Sequence, residues 1–245
     1  MAGTSLLSIF VNLVEFGEVL ILLIQMNALA AIFMKKFLIA TFLIPTHQLF
    51  AQIESSSSLQ DSSLFRLKVK GHIKQVVKWA DKLGVNYLVL SETDEYISFA
   101  DTSTWGQDCK EERCLDKELY AYHFLNGDSL LWKVFDFQRA CSADNIVEFR
   151  KNGTRVTDLD NNGIGETWIM YSITCTSDVS PRTLKLIMHQ AQKKYVIRGT
   201  SQPKKEFLDE EFGGKYNPDA NFSTLSTSFK SFAKKLWDAN LYDIL

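Results

Sequence analysis

The chain has 245 residues, 46% hydrophobic and 23% charged, a balance that places it among globular proteins and excludes a disordered or collagen-like chain. Lys plus Arg total 27 against 29 Asp plus Glu, a formal net charge of −2, so no basic surface for nucleic acid is predicted. Removing residues 1–51 takes away Glu15, Glu18, Lys35 and Lys36 and leaves that balance unchanged.

At Met34 a basic pair, Lys35-Lys36, precedes an apolar run over residues 37–45 and then Leu49-Phe50-Ala51. A positive start, an apolar centre and a small residue at the cut mark a secretory signal, and cleavage after Ala51 is predicted to leave Gln52 as the new N-terminus. A second apolar block upstream, around residues 19–24, is broken by Glu15 and Glu18. Two such blocks parted only by a lysine pair read as an over-extended start, with Met34 the true first residue. A genuine N-terminal membrane anchor is the alternative. Residues 1–51 are therefore assigned to a signal region, 52–64 to a flexible lead-in, and 65–245 to one exported β-rich domain with no membrane span of its own.

Within that domain, short runs of β-branched and aromatic residues are separated by Gly, Asn and Asp turns, which predicts strands at 65–69, 75–79, 87–91, 119–124, 130–135, 146–150, 166–174, 184–190 and 195–199. Asn126-Gly127 is a hairpin turn signal, since both residues tolerate positive φ. Residues 81–86 followed by the run 87–90 align weakly with residues 160–166 followed by 167–170, each a polar turn leading into a strand. The predicted fold is mainly β: antiparallel sheets with two blade-like repeats, an incomplete propeller-like arrangement, and a C-terminal helix. Leu225, Phe229, Phe232 and Leu236 recur at helical spacing and place that helix over 222–240, closing one face of the sheet. A partner-binding amphipathic helix is the alternative use of the same stripe.

All four cysteines, Cys109, Cys114, Cys141 and Cys175, follow the signal, and an even count in an oxidising compartment points to disulfides. Three connectivities are open. The preferred one is a small Cys109–Cys114 clip with Cys141–Cys175 clamping two strand regions.

One segment carries metal chemistry. In Asp158-Leu159-Asp160-Asn161-Asn162-Gly163-Ile164-Gly165-Glu166, oxygen-bearing side chains stand at loop positions 1, 3, 5 and 9, with glycine at 6. Calcium takes six to eight oxygens, which alternate side chains supply only when glycine permits a sharp bend. The predicted ligands are Asp158, Asp160, Asn162, the carbonyl of Ile164, and Glu166. An EF-hand would need Glu at position 12, where Ile169 stands, so that reading fails. The spacing instead resembles the short calcium loops of integrin-type propeller repeats. With three carboxylates, affinity is expected at about 10⁻⁴ to 10⁻³ M. The alternative is an ion-free polar turn whose Asp and Asn side chains bond the backbone.

His72, His123 and His189 stand singly, without zinc spacing, and read as strand or turn residues. No nucleophile elbow, P-loop or dinucleotide fingerprint is present. Asp94-Glu95 and Asp209-Glu210-Glu211 are the carboxylate groups available for acid and base work.

The stretch Val156-Thr157-Asp158-Leu159-Asp160-Asn161-Asn162-Gly163, with Cys175, Ser177-Asp178-Val179-Ser180-Pro181, Leu184-Lys185-Leu186-Ile187-Met188 and Tyr195-Val196-Ile197-Arg198-Gly199-Thr200, resembles a family of small exported bacterial proteins labelled with surface polysaccharide biosynthesis. The likeness runs from Trp79, Asp81, Gly84 and Asn86 to the region of Trp237. It implies an envelope role with a surface glycan or envelope protein as partner, and it names no reaction. The leading expectation is a non-enzymatic exported module stabilised by calcium. The alternative is a polysaccharide-acting enzyme using a carboxylate pair.

Overall fold

Alternation of β-branched and aromatic residues with polar ones carries most of the chain into antiparallel strands. The computed structural model describes residues 68–97, 114–203 and 212–243. The signal region, the lead-in, Cys109 and Asp209-Glu210-Glu211 therefore lie outside the described residues. One sheet holds β1 (His72–Asp81), β2 (Gly84–Glu92), β3 (Tyr96–Ile97), β4 (Leu115–Leu125) and β5 (Ser129–Cys141). The other holds β6 (Asp144–Phe149), β7 (Arg155–Thr157), β8 (Glu166–Thr176), β9 (Thr183–Gln190), β10 (Lys193–Thr200) and β11 (Tyr216–Pro218). The two sheets repeat one device. The long strand β4 pairs with β5 along one edge and with β2 and β3 along the other, and β8 pairs with β9 along one edge and with β6 and β7 along the other.

Strand side chains alternate between faces, so each sheet has an inner set. Val77, Trp79, Leu88, Leu90, Leu119, Ala121, Trp132 and Val134 of the first sheet meet Val147, Val156, Ile169, Tyr171, Ile173, Ile187 and Val196 of the second. The alternate residues of the second sheet, among them Trp168, Met170, Leu184, Leu186 and Met188, face a C-terminal helix. β8 is consequently buried continuously from Glu166 to Ile173, which explains why it reads as an apolar run without alternation. On the outer face of the first sheet, Val76, Tyr87, Val89, Tyr120, Tyr122 and Phe124 form a third cluster with Val69 and Ile73.

The helix expected over 222–240 is two helices, α1 (Ala220–Ser223) and α2 (Thr227–Ala239). Ser226 lies between them with extended backbone, φ −64° and ψ 165°, a conformation that ends one helix and starts the next. Phe229, Ala233, Leu236 and Trp237 of α2 are buried against the second sheet, so the stripe is core and the partner-helix alternative does not hold. The strand expected at 65–69 is likewise not formed in its described part: Lys68 and Val69 are outside any strand. The Lys70 N–H donates instead to the Tyr122 hydroxyl at 3.1 Å, which lays this segment over the outer face of β4. Strands β3, β7 and β11, of two or three residues, are too short to display a two-residue period and were not legible. Gly199 in β10 has a packing reason: a Cβ there would lie 1.7 Å from the Lys215 carbonyl oxygen, so only glycine lets β11 approach.

Cys141, at the end of β5, and Cys175, in β8, form a disulfide with a Cα–Cα distance of 5.6 Å, a clamp from one sheet to the other as the preferred connectivity expected. Cys114 is disulfide-bonded as well, and its expected partner is Cys109. The Cys141–Cys175 bridge spans 34 residues, for which loop-closure entropy gives about 3–4 kcal/mol. Replacing both cysteines by serine is expected to lower the thermal midpoint by roughly 10 °C, measured by circular dichroism against the parent protein.

Candidate functional site

The loop between β7 and β8 is shaped by its own side chains. Asp158 accepts the N–H groups of Asn162 at 3.0 Å and Gly163 at 2.9 Å. Asp160 accepts from the Asn162 N–H at 3.2 Å, and Asn162 Oδ1 accepts from the Ile164 N–H at 2.8 Å. Gly163 has φ +81°, the left-handed region that the bend at position 6 requires. Together these bonds turn Asp158, Asp160 and Glu166 toward one point, with a carboxylate oxygen from each within 4.8 Å of the others. Asn162 braces the loop through its own side chain.

Glu166 is fully buried while Asp160 is exposed. Its carboxylate accepts from the Thr157 hydroxyl at 2.7 Å and the Leu159 N–H at 2.9 Å. Burial nevertheless pushes its pKa up to about 7, with the charges of Asp160 and Asp158 acting in the same direction. Among the described residues no ion pair reaches any of the three acids. The nearby Lys82 ammonium donates to the Asn162 carbonyl instead. The set is therefore short of positive charge, and its donors are hard oxygens suited to calcium or magnesium.

Two partners come from distant parts of the chain. Gln190, in β9, donates to Asp160 at 2.9 Å and to Glu166 at 3.3 Å. Asp81, at the end of β1, accepts from the Gly165 N–H at 2.9 Å, and the Lys82 N–H donates to the Gly163 carbonyl at 2.8 Å. The turn of the β1–β2 hairpin is thus seated on the acidic loop. The two segments aligned as repeats lie against each other across the sheets. Asp81 also accepts from Trp79 Nε1, the Leu83 N–H and Asn86 Nδ2. Burial opposes its ionisation, but these donors outweigh burial and hold its carboxyl below the ordinary range.

Asn86 continues the chain of bonds to His123, whose Nε2 lies 2.8 Å from Asn86 Oδ1. His123 and His189 are buried strand residues on either side of Trp132: His189 stacks on it at 4.0 Å and His123 meets it edge-on at 5.2 Å. Burial keeps both neutral, lowering His123 to about 4 and His189 to about 3. His72 is exposed beside Asp94 at 2.7 Å.

A second carboxylate centre, with no local signature, lies on the outer face of the first sheet. Glu118 accepts from Tyr96 at 2.7 Å, Tyr120 at 2.5 Å and Arg139 at 2.6 Å, and pairs with Lys70. Burial opposes its charge, yet these four donors bring its carboxyl down to about 2. Every lone pair is engaged, so the group is a latch joining β3, β4, β5 and the segment before β1. Its donors stand 2 to 48 residues from Glu118 in sequence, and no periodicity links them.

The Ser177-to-Pro181 element borders a small polar cavity of about 120 Å³, lined by Asp144, Asp178, Ser180, Arg182 and Asp243 among others. Sites for drug-sized ligands begin near ~300 Å³, and this one is smaller. Glu166 has no exposed surface with which to meet a substrate. Asp94 and Glu95 are exposed, and Asp94 faces His72. Compared with family models, curated proteins and solved structures, the chain matches none. Among the described residues no helix is long and apolar enough to cross a membrane.

A carboxyl raised from 4.5 to about 7 is protonated in the folded state at pH values where the unfolded chain has released its proton. Its contribution to stability is full below about 4.5 and is lost as pH rises through 7. The buried histidines act oppositely, weakening the fold as pH falls below their ordinary 6.5. The Glu166 effect is therefore read as a difference. In chelator, the stability of the parent relative to Glu166→Gln is expected to increase on going from pH 8 to pH 5.5, measured by urea unfolding.

Proposed function

We propose that this chain is a non-enzymatic exported envelope or surface module, stabilised by calcium at Asp158, Asp160 and Glu166, with Asn162 and the Ile164 carbonyl completing the set and a surface glycan or envelope protein as partner. The observation that carries the calcium reading is the convergence of three carboxylates within 4.8 Å around a buried Glu166 that no cation among the described residues neutralises. A buried carboxylate so placed must bind a proton or a cation, and calcium at extracellular concentrations is a cation that an oxygen-only set accepts. Export is supported by the Lys35-Lys36 to Ala51 pattern and by a disulfide of the kind that persists in oxidising compartments. The glycan link rests on the family resemblance. The blade-like reading belongs to the same proposal: β8, β9, β10 and β11 pair in sequence order, as the strands of a propeller blade do.

Thermal unfolding in excess calcium and in chelator tests the metal. At about 100-fold above the dissociation constant, calcium is expected to add about 2.7 kcal/mol, raising the midpoint by roughly 5–10 °C, with Asp160→Ala abolishing the shift. An unchanged midpoint would reduce the loop to a polar turn. N-terminal sequencing of protein recovered outside the cytoplasm is expected to begin at Gln52; retention of residues 1–51 would favour the membrane anchor.

A further inference from the structure

On the helical side of the second sheet, remote from the acidic loop in sequence, β11, α1 and α2 line an open cleft of about 320 Å³ bordered by Tyr216, Pro218, Phe222, Ser223, Lys230 and Lys234. Its floor is apolar: Phe222 is 2% exposed, and the Tyr216 ring is held edge-on to Trp237 at 5.2 Å. Its rim is cationic. Lys230 and Lys234 stand one helical turn apart on α2, so both ammonium groups reach the same side. Lys234 lies over the Tyr216 ring at 5.9 Å and pairs with Asp238. Lys230 has no side-chain partner among the described residues.

We propose that this cleft binds a small amphiphilic carboxylate, its apolar body on Tyr216, Pro218 and Phe222 and its carboxylate between Lys230 and Lys234. The chemistry selects this class. A polyhydroxylated ligand such as a sugar would find two hydroxyls, those of Tyr216 and of Ser223, the second already donating to the Asp219 carbonyl at 3.3 Å, and would leave most of its polar groups unmatched. A neutral apolar ligand would leave Lys230 without a counter-charge, Lys234 being already paired with Asp238. At the ~30 Å³ of liquid volume that a water molecule occupies, the cleft holds a body of roughly ten non-hydrogen atoms, the size of a phenylalkanoate or a medium-chain acyl carboxylate. So small a ligand binds in the high micromolar to millimolar range. The inference is independent of calcium at the acidic loop.

The test is ligand-observed saturation-transfer NMR on the full-length chain with 4-phenylbutyrate and octanoate, each against its neutral amide. Saturable transfer is expected from both carboxylates, with the amides at least fivefold weaker. The double variant Lys230→Gln/Lys234→Gln is expected to erase the preference for carboxylate, and Ser223→Leu, which fills the cleft without touching charge, to weaken both carboxylates. Circular dichroism confirms that each variant is folded. A response from one carboxylate alone identifies the body as aromatic or acyl. Absence of saturable transfer, amides that bind as well as carboxylates, or binding unchanged in the double variant would overturn the assignment.

Discussion

The carboxylate of Asp81 is the point on which the arrangement turns. It ends β1 in one sheet and, through the Gly165 N–H, holds the start of β8 in the other. With Trp79, Leu83 and Asn86 also donating to it, its charged form is favoured within the protein. Two sheets packed through apolar side chains alone can slide, because the hydrophobic effect is not directional. A charged acceptor with donors from both sheets removes that freedom at one end, and the Cys141–Cys175 bridge removes it again where β5 meets β8. Between these points lies the shared core around Trp79, Ile169 and Tyr171.

Three acidic side chains in this protein show how environment divides one chemistry into different roles. Glu118 and Asp81 are largely withdrawn from water, yet surrounding donors keep them charged. Glu166 is also withdrawn, but its neighbours include two further carboxylates, and its affinity for a proton rises. The first two are spent on joining strands. The third retains an unmet demand for positive charge, which is what distinguishes a candidate ion site from a latch.

The polar elements are distributed accordingly. Core packing occupies both faces of the second sheet, one against the first sheet and one against α2. Clusters of charged groups are displaced to the strand ends and to the helix rim, where the acidic loop and the Lys230–Lys234 pair lie. Loops and element ends carry binding residues because the packed layers have no room for them.

The amino-acid sequence by itself determined the features that depend on near neighbours. The glycine-bent spacing of Asp158, Asp160 and Glu166, the Asn126-Gly127 hairpin turn and the helical stripe through Phe229 and Leu236 each arise within about a dozen residues, where local backbone preference and periodicity act. The pairing of Cys141 with Cys175 was legible as one of three possibilities. Only the tertiary structure decided which distant groups meet. Asp81 and Gly165, 84 residues apart, Lys70 and Glu118, 48 apart, and the placing of His123 and His189 on Trp132 follow from strand order and from the stacking of one sheet on the other. The split at Ser226 was hidden because the apolar stripe continues across it. Sheet order is set by the summed burial of whole faces, to which any single residue contributes little, so it leaves no local mark on the residues it brings together.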